Sequence, residues 1–215
     1  MITSSQNPKL KLARALLGRP KERREAGAFV AEGVRLVEEA AASGWPFRFV
    51  LHSHGLSERG EALIEKLKTK NVDCETVDER LLQALSDTGY TQWILAVLEA
   101  FQLPLPPALD FVLIPDQIRD PGNLGTLLRT AAAAGVQAAM IPPETTDAFA
   151  PKAVRAGMGA HFRLPILSLT WEEIGQVSKS ANLRIWLADM EGRSCWEADL
   201  RSPLALIVGG EAEGA

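Results

Sequence analysis

The second half of this chain holds short runs that are apolar from end to end, and these narrow its possible folds more than any other feature. "FVLIP" starts at Phe111, "VQAAMIPP" at Val136, "LRIWLADM" at Leu183 and "PLALIVGG" at Pro203. A strand with one wet face alternates apolar and polar residues, whereas a strand apolar throughout is buried on both faces, as in a parallel sheet covered by helices. The intervening segments "NLGTLLRTAAAAG", "APKAVRAG" and "TWEEIGQVSKS" read as those helices. An α/β fold with a parallel sheet is therefore expected from residue 110 onward. Ligands in such sheets bind beyond the carboxyl ends of the strands. That places the expected site at Asp116 to Asn123 and Gly209 to Glu211.

The first hundred residues alternate differently. Leu10, Ala13 and Leu17 recur at helical spacing, and Gly18 followed by Pro20 ends that helix. "AFVAEG" leads into a helix over "VRLVEEAAASG", with Gly44 as its C-terminal stop. "FRFVLHS", "VDCETV" and "QWILAVLEA" read as strands, separated by helices over "ERGEALIEKLKTK" and "DERLLQALSD". This is a small α/β domain with helices on a sheet. The three prolines of "FQLPLPPALD" make an extended linker. The expected organisation is a first domain over 1–100, a linker over 101–109 and a second domain over 110–215.

Arg129 raises a question of charge. It is the only charged residue between Asp120 and Glu144 and stands among Leu127, Leu128, Ala131 and Ala132. Read as part of an apolar helix, its guanidinium is expected to be buried and to need an anion, because an unpaired buried cation costs several kcal/mol or more. The overall charge of −4 argues against a chain coated for nucleic acid. Its distribution argues otherwise: Lys9, Lys11, Arg14, Arg19, Lys21, Arg23 and Arg24 are opposed by Glu22 alone in the first 24 residues. Such a cluster suits phosphate contacts, or a solvated helix face.

Several classes are disfavoured. No apolar run approaches the roughly 18 residues of a membrane span. The N-terminus lacks the apolar core of a secretory signal, so a cytoplasmic protein is expected, although its basic, acid-poor start also suits a mitochondrial presequence. Cys74 and Cys195 are expected to be reduced, and the His52/His54 pair has no cysteine or carboxylate cluster to complete a metal site. Neither phosphate-binding glycine fingerprint follows a strand, which disfavours nucleoside triphosphates and a nicotinamide-dependent oxidoreductase.

Three stretches resemble one known family, in the right order. "DPGNLGTLLRTAAAAG" resembles the first motif of the SpoU (TrmH-type) branch of the SPOUT methyltransferases, which methylate a ribose 2'-hydroxyl of tRNA or rRNA. "APKAVRAGMGAHFRLPI" is similar to the family's central segment and "LALIVGGEAEGA" to its second motif. "ITSSQNPKLKLARALLG" with "AFVAEGVRLVEEA" resembles the family's RNA-binding domain, whose fold is like that of ribosomal protein L30e.

The resemblance implies an N-terminal L30e-like α/β domain and a C-terminal parallel-sheet SPOUT domain, with a deep trefoil knot in the complete chain and a homodimer with its active site near the interface. It assigns Asn123 and Arg129 to the active site and Gly209 to S-adenosylmethionine; Glu211, which could orient Arg129 or the partner subunit, is added to the catalytic set, and Gly210, Leu187 and Ala188 to the cofactor site. From the basic cluster, Lys9, Lys11, Arg19, Lys21, Arg23 and Arg24 are expected to bind RNA. An RNA phosphate is then the anion for Arg129, whose planar fork suits it. The family reading of Arg129 as a base stays open beside that of a clamp and stabiliser of a developing alkoxide. Many relatives carry Asn in place of Gly210 and Ser in place of Gly157, so side-chain roles there do not carry over. The family's third motif would follow "EAEG", and the methyltransferase domain is expected here to lack it. That departure keeps a second reading, an RNA-binding scaffold without catalysis.

Overall fold

The computed structural model describes residues 1–85, 93–201 and 203–210. The chain divides into two compact units, Met1–Phe101 with Phe149–Arg155, and Gln102–Ala148 with Ala156–Ala215.

The first unit contains α1 (Pro8–Gly18), α2 (Pro20–Ala26), β1 (Ala28–Glu32), α3 (Val34–Ala42), β2 (Phe47–His52), α4 (Glu58–Thr69), β3 (Cys74–Thr76), α5 (Glu79–Gln83) and β4 (Ile94–Glu99). Its sheet runs β1-β4-β2-β3, with β4 antiparallel to both neighbours and β2 parallel to β3. Asn7 caps α1 by accepting the Lys9 N–H at 2.8 Å, with Pro8 at the first helical position. The helix buries Leu10, Ala13 and Leu16, rather than Leu17, against Ala28, Val30, Phe49, Leu51, Leu95 and Val97. The break at Gly18 is real, but Pro20 then opens a second helix.

The second unit contains β5 (Phe111–Pro115), α6 (Pro121–Ala133), β6 (Ala138–Ile141), α7 (Pro151–Gly157), a 3-10 turn (Ala160–Phe162), β7 (Ile166–Ser168), α8 (Trp171–Ser180), β8 (Arg184–Ala188) and β9 (Leu204–Val208), with most of α7 counted in the first unit. Its sheet is parallel throughout, in the order β7-β6-β5-β9-β8. The parallel α/β expectation is borne out. Thr170 and Glu173 form a reciprocal capping box at the start of α8, which packs Ile174 against Val112, Ile114, Met140 and Ala205.

Two points differ from expectation. A fifth strand, β7, lies beside β6. Burial on both faces holds for β6 but fails for β8, where Ile185 is 54% exposed and Leu187 46%. β8 is the edge of the sheet, and its composition does not distinguish edge from centre. Among the described residues no helix is long and apolar enough to cross a membrane.

Candidate active site

The strand order reverses between β5 and β9: the chain leaves β5 toward β6 on one side and later fills β8 and β9 on the other. Open α/β sheets form their ligand crevice at such a reversal, beyond the carboxyl ends of the strands. Asp116 follows β5 and its N–H donates to the Val208 carbonyl at 2.9 Å, so the loops leaving β5 and β9 start side by side. Gln117 has a φ of 52°, a left-handed conformation that few residues other than glycine adopt. Gly210 comes so close that an added Cβ would lie 2.6 Å from the Gln117 carbonyl oxygen. Across β9, Leu187 and Ala188 pair with Ile207 and Val208. The structure thus brings Leu187, Ala188, Gly209 and Gly210 together at the carboxyl edge of two adjacent strands, the first two exposed and the glycines half-buried.

Helix α6 begins at the same edge. Asp120 is its N-cap: the carboxylate Oδ1 accepts the Asn123 N–H at 3.0 Å. Asn123 lies exposed in the first turn. The larger correction concerns Arg129, which is exposed and carries no burial penalty that demands an anion. Leu124, Gly125, Leu128 and Ala131 form the buried face, while Arg129 shares the outer one with Asn123, Thr126 and Thr130. Its neighbours in sequence mislead because helix neighbours lie three and four residues away, here Thr126 and Ala133 among them. Asn123 and Arg129 are about 9 Å apart along the axis and about 120° around it, so they bracket the outer face. Among the described residues Arg129 forms no ion pair. Glu211, the third expected catalytic group, lies outside the described residues.

The N-terminal cluster divides in two. Lys9 donates to Asp73 at 2.5 Å and to Glu75 at 3.0 Å, and lies over the Phe49 ring, anchoring α1 to the sheet. Arg23 is only 5% exposed and donates through Nη1 to the Leu16 carbonyl at 2.6 Å, joining α2 to α1. These two are structural in the fold. Lys11, Arg14, Arg19, Lys21 and Arg24 are exposed, with Lys21 near Glu25 at 3.6 Å.

Behind α6 lies a buried imidazole. His161 donates from Nε2 to the Ala148 carbonyl at 2.7 Å, and burial pushes its pKa down to about 4. Its ring packs against Gly157, where an added Cβ would sit 2.6 Å from Cε1 and Nδ1 and 3.8 Å from the Gly125 carbonyl of α6. Gly157 is therefore required by space, beyond any missing hydroxyl. Of the other reactive types, Cys74 and Cys195 are free thiols, and half-burial pushes Cys74 up to about 11.

Residues 110–215 match the SpoU rRNA Methylase family, and residues 7–96 match the MRM3-like substrate binding domain. The chain is 32% identical over 214 residues to the 23S rRNA (guanosine(2553)-2'-O)-methyltransferase of Bacillus subtilis, covering 99% of this chain and 83% of that one. This chain belongs to the SpoU rRNA methylase family. An uncharacterized tRNA/rRNA methyltransferase of Synechocystis is 30% identical over 99% of this SpoU-family chain and 79% of its own length. Among solved structures, an rRNA methyltransferase from Sinorhizobium meliloti has a TM-score of 0.85 at 30% identity, covering all of this chain and 83% of its own. The SpoU methyltransferase AviRb from Streptomyces viridochromogenes, in complex with the cofactor AdoMet, has a TM-score of 0.86 at 27% identity over 97% of this chain and 83% of its own. These relatives favour catalysis over a non-catalytic RNA scaffold.

In this SpoU-family chain Gly210 meets Gln117 backbone to backbone with no room for a side chain, which leaves the loop's amide and carbonyl groups bare of a Cβ, as close approach to a planar base requires. Sequence reasoning misses the part played by Gln117, because nothing in its residue type announces a positive φ.

Proposed function

We propose that this chain transfers a methyl group from S-adenosylmethionine to a ribose 2'-hydroxyl of ribosomal RNA, working as a homodimer in the cytoplasm. Residues 1–100 serve as the L30e-like RNA-binding domain, 101–109 as the linker and 110–215 as the methyltransferase domain. The observation that carries the reading is the close meeting of the Gly209–Gly210 and Asp116–Asp120 loops at the strand-order reversal, in a chain aligned over 97% of its length with a SpoU enzyme solved with AdoMet.

When bound, S-adenosylmethionine supplies a methyl group already activated by its sulfonium. The chain's own work is alignment and charge stabilisation. Gly209, Gly210, Leu187 and Ala188 hold the cofactor at the strand ends. Arg129 forks around the phosphate beside the target ribose, and Asn123, at the other margin of the same helix face, orients the sugar. A guanidinium with a pKa above about 12 stays protonated near neutral pH, so Arg129 is better suited to stabilise the developing alkoxide than to remove the proton. The role left for Glu211 is to orient Arg129 or the partner subunit. Lys11, Arg19, Lys21 and Arg24 bind RNA phosphates.

The test is transfer of labelled methyl from S-adenosylmethionine to ribosomal RNA, followed by mapping of the modified ribose, on the wild type and on Arg129→Ala. The variant is expected to lose transfer while keeping its fold and its cofactor affinity measured by calorimetry. Lysine should rescue poorly because it cannot fork around a phosphate. Near-normal turnover by Arg129→Ala would remove Arg129 from the site.

A further inference from the structure

Among the described non-glycine residues with a positive φ, Trp93, at 55°, is the only aromatic. A bulky side chain on a left-handed backbone is an outlier kept at a cost in free energy. The surroundings hold it there. The Trp93 carbonyl accepts the Ser53 N–H at 3.0 Å, and the next carbonyl, of Ile94, accepts the Gly33 N–H at 3.1 Å, so Trp93 enters β4 beside the ends of β1 and β2. Ser53 is 1% exposed, and its Oγ accepts the Gly55 N–H at 3.3 Å, which tightens the turn after β2. Ser57 then caps α4 and Leu56 packs on Gly60, fixing the far side of that turn. An added Cβ at Gly55 would lie 3.1–3.2 Å from Cγ, Cδ2 and Cε2 of Trp93. Near-equal distances to three ring atoms put that point over the ring and not beside it, so one face of the indole lies on Gly55. Trp93 is only half-buried, and part of the ring meets solvent. All of these residues belong to the first unit and to the segment 7–96 that matches the substrate binding domain.

Packing is a weak reason for this strain. Trp93 is not among the side chains that α1 buries against the sheet, and glycine or asparagine would take the same φ at less cost. A flat, half-exposed indole seated on a glycine is suited to stacking. Proteins that recognise RNA by sequence or shape engage unpaired bases in loops and bulges, laying them on aromatic side chains. Every base offers a π-face, and one such stack tightens binding by about five- to a hundredfold.

We infer that Trp93, laid on Gly55, is a stacking platform for an unpaired base of the RNA substrate. The inference rests on the RNA binding proposed above for residues 1–100, and it names an uncharged contact in addition to the phosphate contacts of Lys11, Arg19, Lys21 and Arg24. The two kinds of contact separate in salt. A lost phosphate contact flattens the salt dependence of binding, whereas a lost stack weakens binding and leaves the slope as it was.

The test uses the full chain and compares wild type with Trp93→Leu and Trp93→Phe. The Kd for ribosomal RNA is read by filter binding over a range of salt, beside the Kd for a fully paired RNA duplex and the calorimetric Kd for S-adenosylmethionine. Trp93→Leu is expected to weaken binding of ribosomal RNA by about five- to a hundredfold at every salt concentration, with the slope unchanged. Trp93→Phe keeps a π-face and should stay within about threefold of wild type. Binding of the duplex, which has no unpaired base, and of the cofactor should not change in either variant. Should Trp93→Leu fail to fold, fluorescence decides: ribosomal RNA should quench the tryptophan emission of wild type by an increment that Trp93→Phe lacks. An unchanged Kd for Trp93→Leu, a flattened salt slope, an equal loss on the duplex, or equal quenching in wild type and Trp93→Phe would each overturn the inference. A wild type that binds no ribosomal RNA would instead bring down the functional reading and this inference with it.

Discussion

Acid should weaken the second unit through one buried imidazole. His161 is 1% exposed and its pKa is pushed down to about 4 from 6.5, chiefly by burial. The native state therefore holds the neutral ring, with the Nε2 proton donated to Ala148, while the unfolded chain takes up a proton near pH 6.5. Stability from this residue is fully present above pH 6.5 and is lost as the pH falls toward 4. A shift of about 2.5 units corresponds to about 3 kcal/mol across the whole window, of which about 2 kcal/mol is lost by pH 5. Denaturant unfolding between pH 7.5 and 5 measures it, taken as the difference between wild type and His161→Leu. His52, whose pKa burial also lowers, titrates equally in both proteins and cancels. The leucine variant starts lower at pH 7.5, since it leaves the Ala148 carbonyl without this donor, and the gap should close by about 2 kcal/mol at pH 5. Parallel pH profiles for the two proteins would refute the reasoning, as would an imidazole carbon resonance of His161 titrating near 6.5.

The remaining expectations concern space and charge. Gly210→Ala should cost about 1–3 kcal/mol and weaken S-adenosylmethionine binding in calorimetry, because its Cβ meets the fixed carbonyl of Gln117 at 2.6 Å. Gly157→Ser should lower the melting temperature through overpacking of about 1–3 kcal/mol against the His161 ring. Neutralising Lys11, Arg19, Lys21 and Arg24 should flatten the salt dependence of RNA binding by up to about 0.7 to 0.9 log units for each phosphate no longer neutralised, as read by filter binding. Arg23→Ala should behave differently, losing about 1–3 kcal/mol of stability in urea unfolding with little change in salt slope, because its guanidinium is occupied by the Leu16 carbonyl.

Periodicity is what the sequence makes legible, and partners are what it hides. The alternation of apolar runs and helices predicts the parallel sheet, and the carboxyl ends of its strands locate the ligand edge. β7 escapes because three residues between Pro165 and Leu169 form no pattern of their own. Arg129 is misread because burial in a helix follows a face and not a neighbourhood, and alanines flanking a cation tolerate either environment. Lys9 and Arg23 fall in with the phosphate-binding cluster because a local tally of charge cannot see Asp73, 64 residues away, or a backbone carbonyl one helix back. Glu32 and Arg155, 123 residues apart, carry no signature of their pairing at all.

That long separation has a consequence for how the protein is made. β1 lies at the edge of its sheet, and the Phe149 ring and Arg155 guanidinium that meet it come from far downstream. On a ribosome adding about 5–20 residues per second, some 3–10 seconds pass between synthesis of Phe101 and of Arg155. During that interval the N-terminal unit has its own sheet complete but lacks the ring that meets Phe29 and the guanidinium that meets Glu32, while β1 is a strand edge, the kind of surface that pairs with foreign strands. The first unit therefore receives these side-chain partners only when residues 149–155 are translated.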